Sequence, residues 1–187
     1  MRWLAFLLVF CAAGTRAEEA VPICFNYGCA SESVVVFSER QLNFSEDVLA
    51  MANTAEEERL LLSLVVGRFY AWAGEQTPIR ADRGGNYADE GVSGAMDCID
   101  HSTTTTRFLQ LLEKRGALHF HRVLAPVWRG WVFQHASAQI EEIGPEMINA
   151  ETEHVRRFVV DSWYVDNGLP APVMPLERWY DDSDFNV

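Results

Sequence analysis

The sequence predicts an α+β domain in which N-terminal helices, one of them opening on a cysteine, pack on a C-terminal antiparallel sheet. Three observations lead there. Apolar residues recur at helical spacing between residues 54 and 73 and again after Cys98. After Gly116 the texture becomes strand-like, with alternation from Leu118 to Leu124 and β-rich runs from Trp131 to Ile143 and from Arg157 to Val165. Helices first and strands later indicate segregated layers rather than an alternating parallel-sheet order.

The elements follow in chain order. Arg2 gives a short positive start, Trp3 to Gly14 is apolar or small, and Thr15-Arg16-Ala17 has the small-x-small form of a cleavage site. This pattern predicts a signal peptide over residues 1–17, too short for a comfortable membrane span, and a mature chain from about Glu18. Residues 18–187 are enough for a single domain with its own core. Val34 to Phe37 is a short strand candidate, and Ser45 is expected to cap a short helix through Met51. Thr54-Ala55-Glu56-Glu57 has capping-box spacing and opens a helix expected to reach Ala73 and stop at Gly74. Leu60, Leu61, Leu64, Val65, Phe69 and Trp72 supply its apolar face, widened by Leu62, Val66 and Tyr70. Residues 75–97 are rich in glycine and polar groups and read as a loop beside a site. The next helix is expected from Cys98 to Arg115, ending at Gly116, despite the low helix propensity of Thr103 to Thr106. After the strands, Asp166-Asn167-Gly168 forms a turn, and Pro170, Pro172 and Pro175 mark an extended tail.

The formal charge of −12 argues against nucleic acid and anionic lipid surfaces as partners. No segment after residue 17 is apolar and long enough to span a bilayer, so no stable membrane insertion is expected after signal cleavage. Three cysteines survive cleavage. Cys24 and Cys29 are close enough to close a small disulfide loop, with Gly28 easing the turn, and such a bridge suits a periplasmic or secreted protein. Cys98 is left over, and an odd cysteine in such a protein is an intermolecular link, a buried inert residue or a functional thiol.

The surroundings of Cys98 favour the functional thiol. It stands in Gly94-Ala95-Met96-Asp97-Cys98-Ile99-Asp100-His101, where a loop runs into a helix. A helix start lowers a thiol pKa and offers a backbone N–H to a developing oxyanion. Asp97 and Asp100 oppose that lowering and need a compensating partner, for which Arg83 in the preceding loop is one candidate. His135 lies on a strand-like segment. Asp161 stands amid Phe158, Val159, Val160 and Trp163, where a carboxylate needs a donor, and the histidine is the economical partner. Asp166 competes for that role, but the following Asn167-Gly168 explains it as a turn residue.

Cysteine on a helix start, then His135-Ala136 on a strand, then Asp161-Ser162-Trp163 on the next, resembles the core of transglutaminase-like and papain-like thiol enzymes, in particular a secreted bacterial branch. The resemblance covers about residues 86–166. It implies Cys98 as nucleophile, His135 as general base and Asp161 as its orienter, acting on a peptide or amide substrate without a cofactor or metal. No glutamine precedes the cysteine in the papain-like place; Asn86 and Tyr87 stand there instead, and these two with Trp163 are the weaker candidates for substrate and oxyanion contacts. One rival reading is a zinc-dependent hydrolase using His119 and His121, which share a strand face, with Cys98-x-x-His101 as a second ligand-like spacing. Another is a non-catalytic secreted binding module whose Trp128, Trp131, Trp163 and Trp179 form an aromatic face.

Overall fold

A computed structural model describes residues 18–85, 88–131, 134–144 and 156–181. The expected signal peptide lies outside them. Two strands open the domain, β1 (Glu19–Phe25) and β2 (Ser31–Phe37), paired antiparallel from Glu19 opposite Phe37 to Phe25 opposite Ser31. The sequence pattern revealed only Val34 to Phe37 of this hairpin. Pro22 interrupts the β signature of the first strand, yet a two-stranded ribbon is all edge and tolerates a missing donor.

Three helices follow: α1 (Glu39–Leu49), α2 (Ala55–Gln76) and α3 (Cys98–Lys114). Helix α1 begins earlier than expected. Its N-cap is Ser38, which forms a capping box with Gln41. Ser45 lies inside the helix, its hydroxyl donating to the Gln41 carbonyl. Thr54 caps α2, its side chain accepting from the Glu57 amide at 3.1 Å. Gly74 does not end that helix. A Cβ there would meet the Asn167 side-chain oxygen at 2.8 Å, so the glycine serves close packing. The buried stripe of α2 runs through Leu62, Val65, Val66, Phe69, Tyr70 and Ala73, whereas Leu60 and Leu64 are 65% and 53% exposed. The apolar run on α2 is wider than the face the sheet and α3 cover.

The C-terminal half forms a four-stranded antiparallel meander in chain order: β3 (His121–Arg129), β4 (His135–Glu142), β5 (Arg157–Val160) and β6 (Val173–Pro175). A mixed α+β fold, with helices against a C-terminal sheet, is what the sequence predicted. Three boundaries differ. Strand β3 starts later than Leu118 and carries an irregularity between Leu124 and Val127, around Pro126, as suits an edge strand. Strand β5 stops at Val160, so Asp161 leaves the sheet and opens a 3-10 turn, Ser162–Tyr164. The proline-rich tail adds edge strand β6 and a short helix, α4 (Leu176–Asp181).

Helix α3 packs against β1, β3 and β4. Phe37, Phe69 and Phe108 form the aromatic centre of the main core, with ring centroids 4.6 to 5.7 Å apart. The threonine run is explained by its partners. Thr104 accepts from the Cys24 amide at 3.0 Å, Thr105 bonds to Tyr70 and Ser162 at 2.9 and 2.8 Å, and Thr106 donates to the Ser102 carbonyl at 2.7 Å. Alanines would favour the helix intrinsically but leave these buried groups unpaired.

Gly67 gives a test of packing against propensity. Alanine at an ordinary helix position stabilises by about 1 kcal/mol over glycine. At 67 its Cβ would lie 2.4 Å from the Leu169 carbonyl oxygen, a backbone atom with little room to retreat. Gly67→Ala is therefore expected to destabilise the protein, and urea unfolding should show a lower midpoint with an unchanged slope.

Candidate active site

Helix α3 opens on Cys98 because Asp97 is its N-cap. The Asp97 carboxylate accepts from the amides of Ile99 and Asp100 at 3.0 and 2.9 Å, and Asp100 accepts from the Asp97 amide at 3.2 Å. The sequence Asp97-Cys98-Ile99-Asp100 is thus a capping box built of two carboxylates.

The disulfide loop holds the same pair from outside. Cys24 and Cys29 are bonded, as expected. Asn26, Tyr27, Gly28 and Cys29 all take left-handed φ angles, 66°, 64°, 60° and 56°. Backbone N–H groups in such a run converge into an anion-binding concavity. Here the amides of Tyr27 and Cys29 donate to Asp100 at 2.8 and 2.6 Å, and that of Gly28 donates to Asp97 at 2.9 Å. Arg83, expected to compensate these charges, instead pairs with Asp166 at 3.3 Å on the surface. Asp166 also accepts from the Gly84 amide at 3.0 Å, so it ties two loops together, in keeping with its turn position.

His135 begins β4 and Asp161 follows β5. His135 Nε2 and Asp161 Oδ2 are 2.8 Å apart, both side chains buried. Cys98 sits against the backbone flanking the histidine: its thiol lies 3.8 Å from the Gln134 carbonyl, and the Ala136 amide points at the sulfur. Cys98, Ala136 and Trp163 form one small buried cluster. His135 Nδ1 is buried and has no hydrogen-bond partner among the described residues. No hydrogen bond joins it to the thiol in this arrangement. Trp163 is buried, its ring 4.9 Å from the imidazole. Asn86 and Tyr87 lie outside the described residues.

The thiol differs from the sequence expectation. Burial pushes the Cys98 pKa up, and the charges of Asp97 and Asp161 push it further; the Ala136 amide and the helix-start amide only partly offset them. A helix N-terminus does not guarantee a thiolate when the cysteine is only 8% exposed and feels the charges of Asp97 and Asp161.

A second polar network lies under the site and was not foreseen. His101 uses both ring nitrogens, Nδ1 with Ser162 at 2.9 Å and Nε2 with Asp82 at 3.0 Å. Ser162 also bonds to Thr105 and Tyr70, and Asp82 accepts from the Met96 amide at 2.8 Å. This network anchors the turn that Asp161 opens. His101 is therefore engaged and cannot pair with Cys98 as a metal ligand. His121 is likewise occupied, by Glu58 at 2.8 Å and Arg59 at 3.1 Å, while His119 is exposed and precedes the strand. Among the described residues, the only trio of ligand-type side chains close enough to hold a metal is Cys24, Cys29 and Asp100, and its two sulfurs form the disulfide. Trp163 and Trp179 are buried while Trp128 and Trp131 are 48% and 99% exposed, so the four do not form one aromatic face. A cavity of about 300 Å³, lined by Arg59, Phe158 and Val173, lies against α2 and contains none of the three site residues.

The fold and site define an α+β protein with a cysteine, a histidine and an aspartate gathered at a helix start and two strand ends. No protein-family model, curated protein or solved structure matches the chain.

Burial, followed by the charge of Asp97, raises the Asp100 pKa to about 6. The unfolded value is about 3.9. Because the folded value is the higher, the folded state holds the proton more tightly. The associated stability is fully present below about pH 4 and is lost as pH rises through about 6. Glu58 acts in the opposite sense: bonds from His121 and the amides of His119 and Phe120 outweigh burial and lower its pKa. A site-resolved measurement separates the two, and carbon-detected NMR should find an Asp100 carboxyl midpoint near 6.

Proposed function

We propose that this protein is a secreted thiol enzyme that cleaves or transfers at an amide or peptide bond, with Cys98 as nucleophile, His135 as general base and Asp161 as the base's orienter. One observation carries the reading. The buried Asp161 binds His135 through Nε2, which leaves Nδ1 without a partner in the structure, while Cys98 lies against the peptide groups on both sides of that histidine. The Cys24–Cys29 bridge supports an oxidising compartment.

Burial and the charges of Asp97 and Asp161 raise the Cys98 pKa, which favours a resting thiol. In this scheme His135 Nδ1 takes the thiol proton as sulfur attacks the substrate carbonyl. Asp161 stabilises the imidazolium through Nε2. The Cys98 amide, at the first position of α3, donates to the oxyanion. The imidazolium then gives its proton to the leaving amine, forming a thioester at Cys98. Water resolves the thioester in hydrolysis, or an amine resolves it in transfer.

The test is an activated ester, p-nitrophenyl acetate, with intact-mass detection of the acyl-enzyme. The wild type should form a thioester at Cys98. Cys98→Ala should form none, and His135→Ala should acylate about 10²–10⁴-fold more slowly. Without ester, alkylation by iodoacetamide should show a midpoint above the ordinary ~8.5. Equal acylation of wild type and His135→Ala would make Cys98 a structural cysteine.

A further inference from the structure

We infer that Trp179, on the C-terminal helix α4, is a positioning residue for the His135–Asp161 pair; this rests on the thiol-enzyme reading above. Its indole Nε1–H donates to Asp161 Oδ2 at 2.8 Å, the same oxygen that His135 Nε2 meets at 2.8 Å. One carboxylate oxygen thus receives two donors, and both donors and acceptor are buried. The indole ring also lies beside the imidazole, with centroids 5.7 Å apart. Helix α4 is too short to be ordered by its own hydrogen bonds. It is held by its surroundings: Trp179 and Leu176 pack on Val159 of β5, the Arg129 guanidinium stacks 4.6 Å over the indole, and Arg129 also donates to the Trp179 carbonyl and the Tyr164 hydroxyl.

This arrangement does two things for the proposed base. It fixes the carboxylate so that Oδ2 faces the imidazole, and it excludes water from the back of the pair. It also divides the negative charge of Oδ2 between two donors. Losing the indole N–H concentrates that charge on His135 and raises the pKa of its imidazolium. Among the described residues, the ionisable groups near the pair include Cys98 of α3, Arg129 of β3 and Tyr164 of the 3-10 turn.

The test replaces Trp179 by 3-benzothienylalanine, in which sulfur stands for the indole N–H and the ring shape is kept, with Trp179→Phe in parallel. The His135 titration is followed by imidazole NMR, and acylation by p-nitrophenyl acetate is measured across pH. In the benzothienyl variant the His135 midpoint should rise by about half to one pH unit. Acylation at neutral pH should fall about tenfold while thermal unfolding stays close to wild type. A His135 titration and an acylation profile that both superimpose on wild type would overturn the inference and leave Trp179 as packing only. If His135→Ala acylated as fast as wild type, the enzyme reading would fail, while the His135 titration would still report whether the indole N–H acts on the pair.

Discussion

The first turn of α3 is where the molecule is tied together. Asp100 is fully buried, and a buried carboxylate survives only if its oxygens are occupied. It receives amides from Tyr27, Cys29 and Asp97, and so joins the N-terminal hairpin, the disulfide loop and the cysteine-bearing helix at one point. Each non-glycine residue in a left-handed conformation costs roughly 1–2 kcal/mol. The loop holds three of them around Gly28, and the amide bonds to carboxylates, together with the Cys24–Cys29 link, hold them there. Without that turn the two carboxylates keep only the capping-box amides at the start of α3.

The same clamp shapes the chemistry. Burial, with the charges of Asp97 and Asp161 added to it, keeps the sulfur above the ordinary thiol range. In the proposed mechanism, Cys98 in that condition depends on His135 to take its proton during attack. The precision of the base then matters more than the resting charge of the sulfur. That precision comes from behind: Trp179 and His135 share one oxygen of Asp161, and the Asp82–His101–Ser162 network anchors the turn that begins at Asp161. Polar groups buried this deeply are expensive unless bonded, and His135 Nδ1 has no hydrogen-bond partner among the described residues. An unbonded imidazole nitrogen is where, in the proposed mechanism, the thiol proton is received.

Much of this was legible in the chain. The order of helices and strands, the Thr54 cap, the Cys24–Cys29 bridge and the nearness of Asp161 to His135 followed from local pattern and from the need of a buried carboxylate for a donor. The errors have local causes. Ser38 and Ser45 are both cap residue types, and the Ser38–Gln41 pair, with glutamine in place of the commoner glutamate, forms the capping box. Leu60 and Leu64 fit the helical period as well as Leu62 and Val66, and only the position of the neighbours decides which stripe is covered. Arg83 was near Cys98 in sequence but not in space.

By itself the sequence determined the class of fold, the oxidisable pair and the residue types of the site, because periodicity, capping and burial preference act over a few residues. The tertiary structure alone decided which groups share a proton or a charge. The pairing of Trp179 with Asp161, of His101 with Asp82 and Ser162, and of the disulfide loop with Asp97 and Asp100 joins residues 18 to 73 positions apart. Hydrogen bonds of that kind depend on direction to within tenths of an ångström, and no local preference in the chain encodes where two distant side chains will meet.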